Sequence, residues 1–118
     1  MPVSCSIDGE ILRITHRGHG NFSHIINSLR VAFHDPLFVS SMNVLIDVRE
    51  AKGKETLGTV TSLVEFFGAN REKLGPKRAI VAHDTLYYGF ARMVLAYAET
   101  IGVAFGLFTS LEEAEQWF

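Results

Sequence analysis

The sequence is poor in cysteine and proline and carries no strong excess of charge. Cys5 is the only cysteine among 118 residues, and there are three prolines. One cysteine excludes a disulfide framework and an all-thiolate metal site within the chain. The formal net charge of -2 gives no basic face for a nucleic acid. We therefore expect no nucleic-acid partner.

Long apolar runs are also missing. The most apolar stretch, around residues 85–101, falls short of the ~20 residues that a bilayer requires, and Arg92 and Glu99 lie within it. The first residues lack the charged, apolar and cleavage regions of a secretory signal. We expect no integral membrane segment, a cytoplasmic location and no bound cofactor.

The composition is typical of a folded globular protein. Hydrophobic residues make up 47% and charged residues 20% of the chain. A chain of this length can bury a core of its own, and it shows neither a repeat nor a linker. Residues 1–118 are therefore predicted to form one domain.

The most informative stretch is residues 78–102, RAIVAHDTLYYGFARMVLAYAETIG. Its apolar start, residues 79–82, predicts a strand buried on both faces. Asp84 stands where a helix N-cap belongs, and Gly102 supplies the stop. The helix between them has apolar residues at spacings of three and four, which predict its core face: Leu86, Phe90, Met93, Val94, Tyr97 and Ile101.

The rest of the chain alternates strands and helices. Residues 3–8 and 11–17 flank Asp8-Gly9-Glu10, a hairpin signal. A helix capped by Asn21, a strand at residues 43–48, a helix at residues 57–67 and a strand at residues 103–108 are predicted around the central unit. Thr109 or Ser110 caps a last helix. The order ββαβαβαβα predicts a five-stranded mixed sheet, with parallel strands after the hairpin and helices on both faces.

Three segments resemble the SpoIIAA-like family of bacterial proteins, which have the fold of the STAS domain. They are VLIDVREA at residues 44–51, RAIVAHDTLYYGFARM at residues 78–93, and the ending LFTSLEEAEQWF, which contains Trp117. The resemblance implies an α/β sandwich. Proteins with this fold are regulatory or bind nonpolar ligands, as the lipid carriers of the CRAL-TRIO group do. The resemblance therefore implies a regulatory or ligand-binding role.

One departure concerns regulation. The anti-sigma-factor antagonists that share this fold carry a phosphorylatable serine in an Asp-Ser motif at the start of the helix after the third strand. Here the stretch runs from Asp47 to Thr56 without a serine. Thr56 is the hydroxyl residue at the predicted helix start, and we do not expect a phosphorylation switch of that kind.

Polar residues follow the predicted strands at their carboxyl ends, where open α/β sheets bind ligands. His16, Asp47, His83 and Asp84 are the candidates for an enzyme or a metal-dependent site at this edge. The same residues suit plainer roles, because Asp84 can cap its helix, Asp47 can be a buried or capping carboxylate, and histidines are common in solvated loops.

Other signals for chemistry are weak. His16, His19 and His24 form a loose string in a glycine-containing loop, which does not hold metal ligands on one face. Cys5 falls in a predicted strand, and no nucleophile elbow or phosphate loop is present. We therefore expect a protein that is not an enzyme.

The helix at residues 85–101 is apolar nearly all round. An apolar ligand pocket, a homodimer interface and a peripheral membrane contact each account for that, as does ordinary core packing. Our leading interpretation is a non-enzymatic regulatory or binding module for a nonpolar small molecule, such as a lipid, or for a protein partner. The alternatives are a small enzyme at the strand edge and an anti-sigma-factor-antagonist regulator. The predicted ligand-contacting residues are Asp47, Phe66, His83, Asp84, Tyr87, Tyr88, Phe90, Ala91, Val94 and Leu95.

Overall fold

The computed structural model describes residues 3–118 and has the predicted element order ββαβαβαβα. The strands are β1 (Val3–Asp8), β2 (Ile11–Gly18), β3 (Met42–Ala51), β4 (Leu74–Val81) and β5 (Phe105–Phe108). The helices are α1 (Phe22–Ala32), α2 (Leu57–Ala69), α3 (Thr85–Thr100) and α4 (Leu111–Trp117).

The five strands form one mixed sheet in the order β1-β2-β3-β4-β5. β1 pairs antiparallel with β2 through a two-residue loop, in which Gly9 takes a φ of +62° that a glycine adopts without strain. The remaining neighbours are parallel. The predicted hairpin and parallel pairing are therefore confirmed.

The helices cover the two faces of the sheet unequally. From β2 to β5, each parallel strand is added to the same edge of the sheet. Right-handed crossover connections then place their helices on the same face, so α1, α2 and α3 pack together on one side. Their core includes Phe22, Leu29, Leu63 and Phe67. The short α4 covers the other face with Ala114 and Trp117 over Leu45, Ala79 and Val81. Helices on both faces were predicted.

Local capping signals were predicted correctly. Asn21, Asp84 and Ser110 cap α1, α3 and α4 with their side chains. β4 begins earlier than predicted, because its turn-like segment 75–77 joins the sheet at a register shift opposite Asn43. The Lys77 N–H donates to the Asn43 side chain at 3.2 Å there, and a bulge of this kind admits Pro76, which has no N–H to donate.

Within residues 3–118, no helix has the length and apolar character needed to cross a membrane.

Candidate functional site

The structure divides the predicted strand-edge residues between different environments. Asp47 lies in β3 and forms a two-pronged ion pair with Arg49, whose Nε and Nη2 each donate to one carboxylate oxygen at 2.9 Å. This hydrogen bonding to Asp47 raises the pKa of Arg49 above its ordinary value. Asp47 is thus a satisfied carboxylate that already has its cation.

His16 lies on the opposite face of the sheet from Asp47. Thr15 is the residue paired with Asp47, and paired residues share a face, so the next residue of β2 points toward the helices. His83 and Asp84 are exposed in the β4–α3 connection, where Asp84 accepts from the Tyr87 N–H at 2.8 Å. The structure therefore does not bring the four residues together.

His16 is completely buried at an irregularity in the β2–β3 register. Its ring packs edge-on against Tyr87 of α3, with 6.3 Å between ring centroids. Neither imidazole nitrogen has a hydrogen-bond partner among residues 3–118. Burial lowers the pKa of His16, and the charge of His24 lowers it further. Burial therefore favours the neutral form of this side chain over the charged imidazolium.

Glu55 joins the first turns of three helices. Its Oε1 accepts from the Phe22 N–H at 2.9 Å, at the start of α1, and from the Thr59 hydroxyl of α2 at 2.7 Å. Its Oε2 accepts from the Tyr87 hydroxyl of α3 at 3.1 Å. Burial raises the pKa of Glu55 against the opposing effect of these hydrogen bonds. Burial likewise raises the pKa of Tyr87, and the Glu55 carboxylate adds to that shift.

Glu55 was not found from the sequence. It falls in a polar, glycine-containing segment that predicts an exposed loop, whereas the structure buries it. No local pattern predicts its burial, because two of its three partners, Phe22 and Tyr87, are 33 and 32 residues away in the chain. The result is a buried polar cluster, consisting of His16, Glu55 and Tyr87, at the carboxyl edge of the sheet.

The rotation of α3 about its axis differs from the predicted one. The stripe facing the sheet is Tyr87, Ala91, Val94 and Ala98, whereas the predicted core residues Leu86 and Met93 are 53% and 41% exposed. Because alanine side chains are small, they allow the helix to approach the sheet closely. The positions of the large apolar residues in the sequence therefore predict the wrong face of α3.

The other predicted ligand residues on the helices are partly buried against the same core: Phe66, Tyr88, Phe90 and Leu95. Among the described residues, α3 contributes nothing to the two cavities that border α1. The role of α3 in ligand binding therefore stays a prediction, and Tyr87, Ala91 and Val94 are core residues.

The first cavity lies between β1 and α1 and has a volume of about 400 Å³. Its walls are mostly apolar: Val3 and Ile7 from β1, and Val31 and Ala32 from α1. The remaining lining residues are Cys5 and five polar ones: Ser6, His24, Asn27, Ser28 and Asp35. We call this space the β1–α1 groove.

The second cavity lies between α1 and α2 and measures about 870 Å³. Phe66, a predicted site residue, stacks on Phe33 there, with centroids 5.9 Å apart. The Arg30 guanidinium lies 5.6 Å from the Phe66 centroid, and the Lys73 ammonium lies 5.0 Å from that of Phe33. Both aromatic rings of this cavity therefore already form cation–π contacts with side chains of the protein.

The comparison with solved structures supports the fold. No family model and no curated protein matches the chain. Among solved structures, it is similar to an uncharacterised protein of the DUF3478 family from Shewanella loihica PV-4, described as having a SpoIIAA-like fold. The TM-score is 0.61, with 98% of this chain and 90% of that chain covered. The fold is SpoIIAA-like. At 15% sequence identity, the likeness shows the fold alone.

The SpoIIAA-like fold places Thr56 at the N-cap of α2, where it is exposed. Its hydroxyl oxygen accepts from the Thr59 N–H at 3.1 Å, and the Thr59 hydroxyl in turn accepts from the Thr56 N–H. This reciprocal capping box accounts for Thr56 in structural terms. Within residues 3–118, no group of three or more His, Cys, Asp and Glu side chains is arranged to hold a metal ion.

Proposed function

We propose that this SpoIIAA-like protein is a non-enzymatic binding module that takes a nonpolar small molecule, such as a lipid chain, in the β1–α1 groove. The observation that carries the proposal is a cavity of about 400 Å³ with predominantly apolar walls. Ligand sites in proteins are typically apolar cavities of roughly 300–1,000 Å³ with a few polar groups that fix orientation.

The groove exists because α1 covers the edge of the sheet only in part. The buried stripe of the helix, which includes Phe22, Ile25 and Leu29, packs into the core that α1 shares with the sheet and the neighbouring helices. Cys5 therefore remains exposed on the helix-facing side of β1, and Val31 is 74% exposed on α1. An apolar guest between them would remove both from water, which is the driving force for binding.

The chemistry of the groove supports binding rather than catalysis. Partial burial raises the pKa of the Cys5 thiol, and the Asp35 carboxylate raises it further. The nucleophilic form of cysteine is the thiolate, so Cys5 is held in its unreactive form. His16 and Asp47, two candidates of the alternative enzyme hypothesis, lie on opposite faces of the sheet, so they are not placed to act as an acid–base pair.

The test uses N-phenyl-1-naphthylamine, a nonpolar probe whose fluorescence rises in apolar sites. We expect saturable binding to the unmodified protein and at least a tenfold weaker affinity for Ser28→Trp, because the indole would fill the groove. Ser62→Trp, on the wall of the α1–α2 cavity, is the matched control and should leave the affinity unchanged. A probe that fails to saturate, or that responds to Ser62→Trp alone, contradicts the proposal.

A second candidate function is self-association through the outer surface of α3. Leu86, Gly89, Met93 and Ala96 form an exposed apolar stripe on that helix. Arg92 and Glu99, both exposed, are two turns apart and carry opposite charges. In an antiparallel pair of α3 helices centred between these two residues, each Arg92 would face a Glu99 of the other copy.

Light scattering coupled to gel filtration tests this second candidate. We expect the unmodified protein to elute as a dimer and Met93→Glu to elute as a monomer with an unchanged circular dichroism spectrum, because a carboxylate would have to be desolvated in the interface. Val31→Glu, at a more exposed aliphatic position on α1, is the control and should stay dimeric. A monomer at all concentrations of the unmodified protein rejects this role for α3.

A further inference from the structure

Gly20 lies between the nitrogen atoms of two histidines. A Cβ built at this residue would lie 2.8 Å from His16 Nε2 and 3.2 Å from His24 Nδ1. The Gly20 φ of +150° also belongs to the region that favours glycine. We call His16, Gly20 and His24 the histidine clamp. It closes the β2–α1 loop, residues 19–21, over the buried polar cluster.

His16 can remain in this position only while it is neutral. It has no exposed surface, and neither ring nitrogen is hydrogen-bonded within the described chain. A buried imidazolium without an acceptor would bear the full cost of desolvating a charge. The least costly response to protonation is to bring the ring into water, and the covering element is the loop that contains Gly20.

His24 can close the loop only while its Nδ1 carries no proton. That nitrogen accepts the Asn21 N–H at 3.1 Å and so completes the capping box of α1. A protonated imidazole has no acceptor, so the hydrogen bond would be lost.

The groups around His16 do not supply a partner for its new charge, whereas the exposed His24 shares the groove with the Asp35 carboxylate. Tyr87 of α3 faces His16, and its hydroxyl is already donated to Glu55. Both Glu55 oxygens are occupied by Phe22, Thr59 and Tyr87, although the carboxylate does interact with His24 over a longer distance. β1 presents Val3 opposite His16, and β3 directs Asp47 to the other face.

We propose that protonation of His16 and His24 releases the β2–α1 loop and makes ligand binding in the β1–α1 groove sensitive to acid. His24 belongs both to the clamp and to the groove wall, so the two events share a side chain. The release of the loop is inferred from the geometry of the clamp alone. The effect of acid on ligand binding also rests on the proposed function.

The direction of the pH effect follows from the lowered pKa of His16. The unfolded or opened state binds a proton near the ordinary value of 6.5, whereas the closed state binds it only at lower pH. The stability of the closed state is therefore complete above about pH 6.5 and is lost as the pH falls below it. Glu55, with its raised pKa, acts in the opposite sense, and it is retained in every variant below.

Hydrogen–deuterium exchange of the β2–α1 loop at pH 7.5 and pH 5.5 tests the release. After correction for intrinsic exchange rates, we expect the opening equilibrium to rise about tenfold at pH 5.5. One histidine contributes up to a factor of ten for each pH unit below its ordinary pKa of 6.5, and pH 5.5 lies about one unit below it. His24→Gln keeps an acceptor for Asn21 without titrating, and His16→Phe removes the unpaired nitrogens. The double variant should lose the response.

His19→Gln is the matched control, because His19 is an exposed histidine in the same loop, and this variant should keep the full response. If His16→Phe does not fold, His24→Gln alone must still reduce the response. Equal protection of the unmodified protein at both pH values, or a full response in the double variant, overturns the proposal.

Titrating N-phenyl-1-naphthylamine at both pH values separates the two proposals. We expect weaker binding at pH 5.5 in the unmodified protein and constant binding in the double variant. Loop release without any probe binding at pH 7.5 would reject the proposed function and leave the clamp standing. Binding that is identical at both pH values, alongside loop release, would reject the link between the clamp and the groove.

Discussion

Replacing Glu55 with alanine is expected to lower the free energy of unfolding by about 3 kcal/mol, because the loss of an acceptor leaves buried donors unsatisfied at ~1–3 kcal/mol each. The Phe22 N–H and the Tyr87 hydroxyl both donate to this one carboxylate, which has only 8% of its surface exposed. Removing it would separate the first turns of α1 and α3. Urea unfolding followed by circular dichroism measures the change.

Two further variants show whether burial is the cause. Glu50→Ala removes an exposed carboxylate paired with Arg17 at 2.9 Å, and such surface pairs contribute only about 0–1 kcal/mol. Glu55→Gln keeps an oxygen for the Phe22 N–H and should fall between the two. If Glu55→Ala costs no more than Glu50→Ala, Glu55 does not hold the three helices together.

Replacing Gly53 with alanine is expected to destabilise the protein by about 2–3 kcal/mol, the upper part of the range for overpacking a buried site. A Cβ at Gly53 would overlap the carbonyl oxygen of Gly20. Both partners are backbone, so no side chain can rotate away, and the β2–α1 loop would have to lift. Thermal and urea unfolding measure the loss, and loop exchange at pH 7.5 should increase with it.

Gly89→Ala is a control in which the same substitution is expected to raise the free energy of unfolding instead of lowering it. Gly89 lies within α3, and a Cβ there would meet no heavy atom within 4 Å. Alanine in a helix interior is favoured over glycine by about 0.5–1 kcal/mol, so this variant should be more stable than the unmodified protein. Equal effects of the two substitutions would mean that Gly53 and Gly20 are not in the close contact described above.

The two predictions concern residues that the sequence did not single out. Asp84 could be assigned as an N-cap because a capping residue acts on its own helix, a few positions away. Glu55 acts on three helices, two of them more than 30 residues away in the chain. Distant partners of this kind leave no trace in the local pattern, which is why the sequence predicts an exposed loop for this segment.

The candidate site shows the same division. His16 and Asp47 both end apolar strand segments, which suggested a shared edge. Whether two such residues share a face depends on the strand register, and the pairing of Thr15 with Asp47 separates them. The β1–α1 groove was not predicted either, because it arises from where α1 lies over the edge of the sheet.

The sequence by itself determined the order of the elements, the hairpin, the parallel strands, most helix caps and the SpoIIAA-like resemblance. Each of these follows from residues close together in the chain, such as Asp8-Gly9 or Asn21 before an amphipathic run. Tertiary structure alone decided the rotation of α3, the burial of His16 and Glu55, and the position of the groove. These depend on how distant segments pack, and small residues such as Ala91 and Gly53 govern that packing by the close approach that they permit.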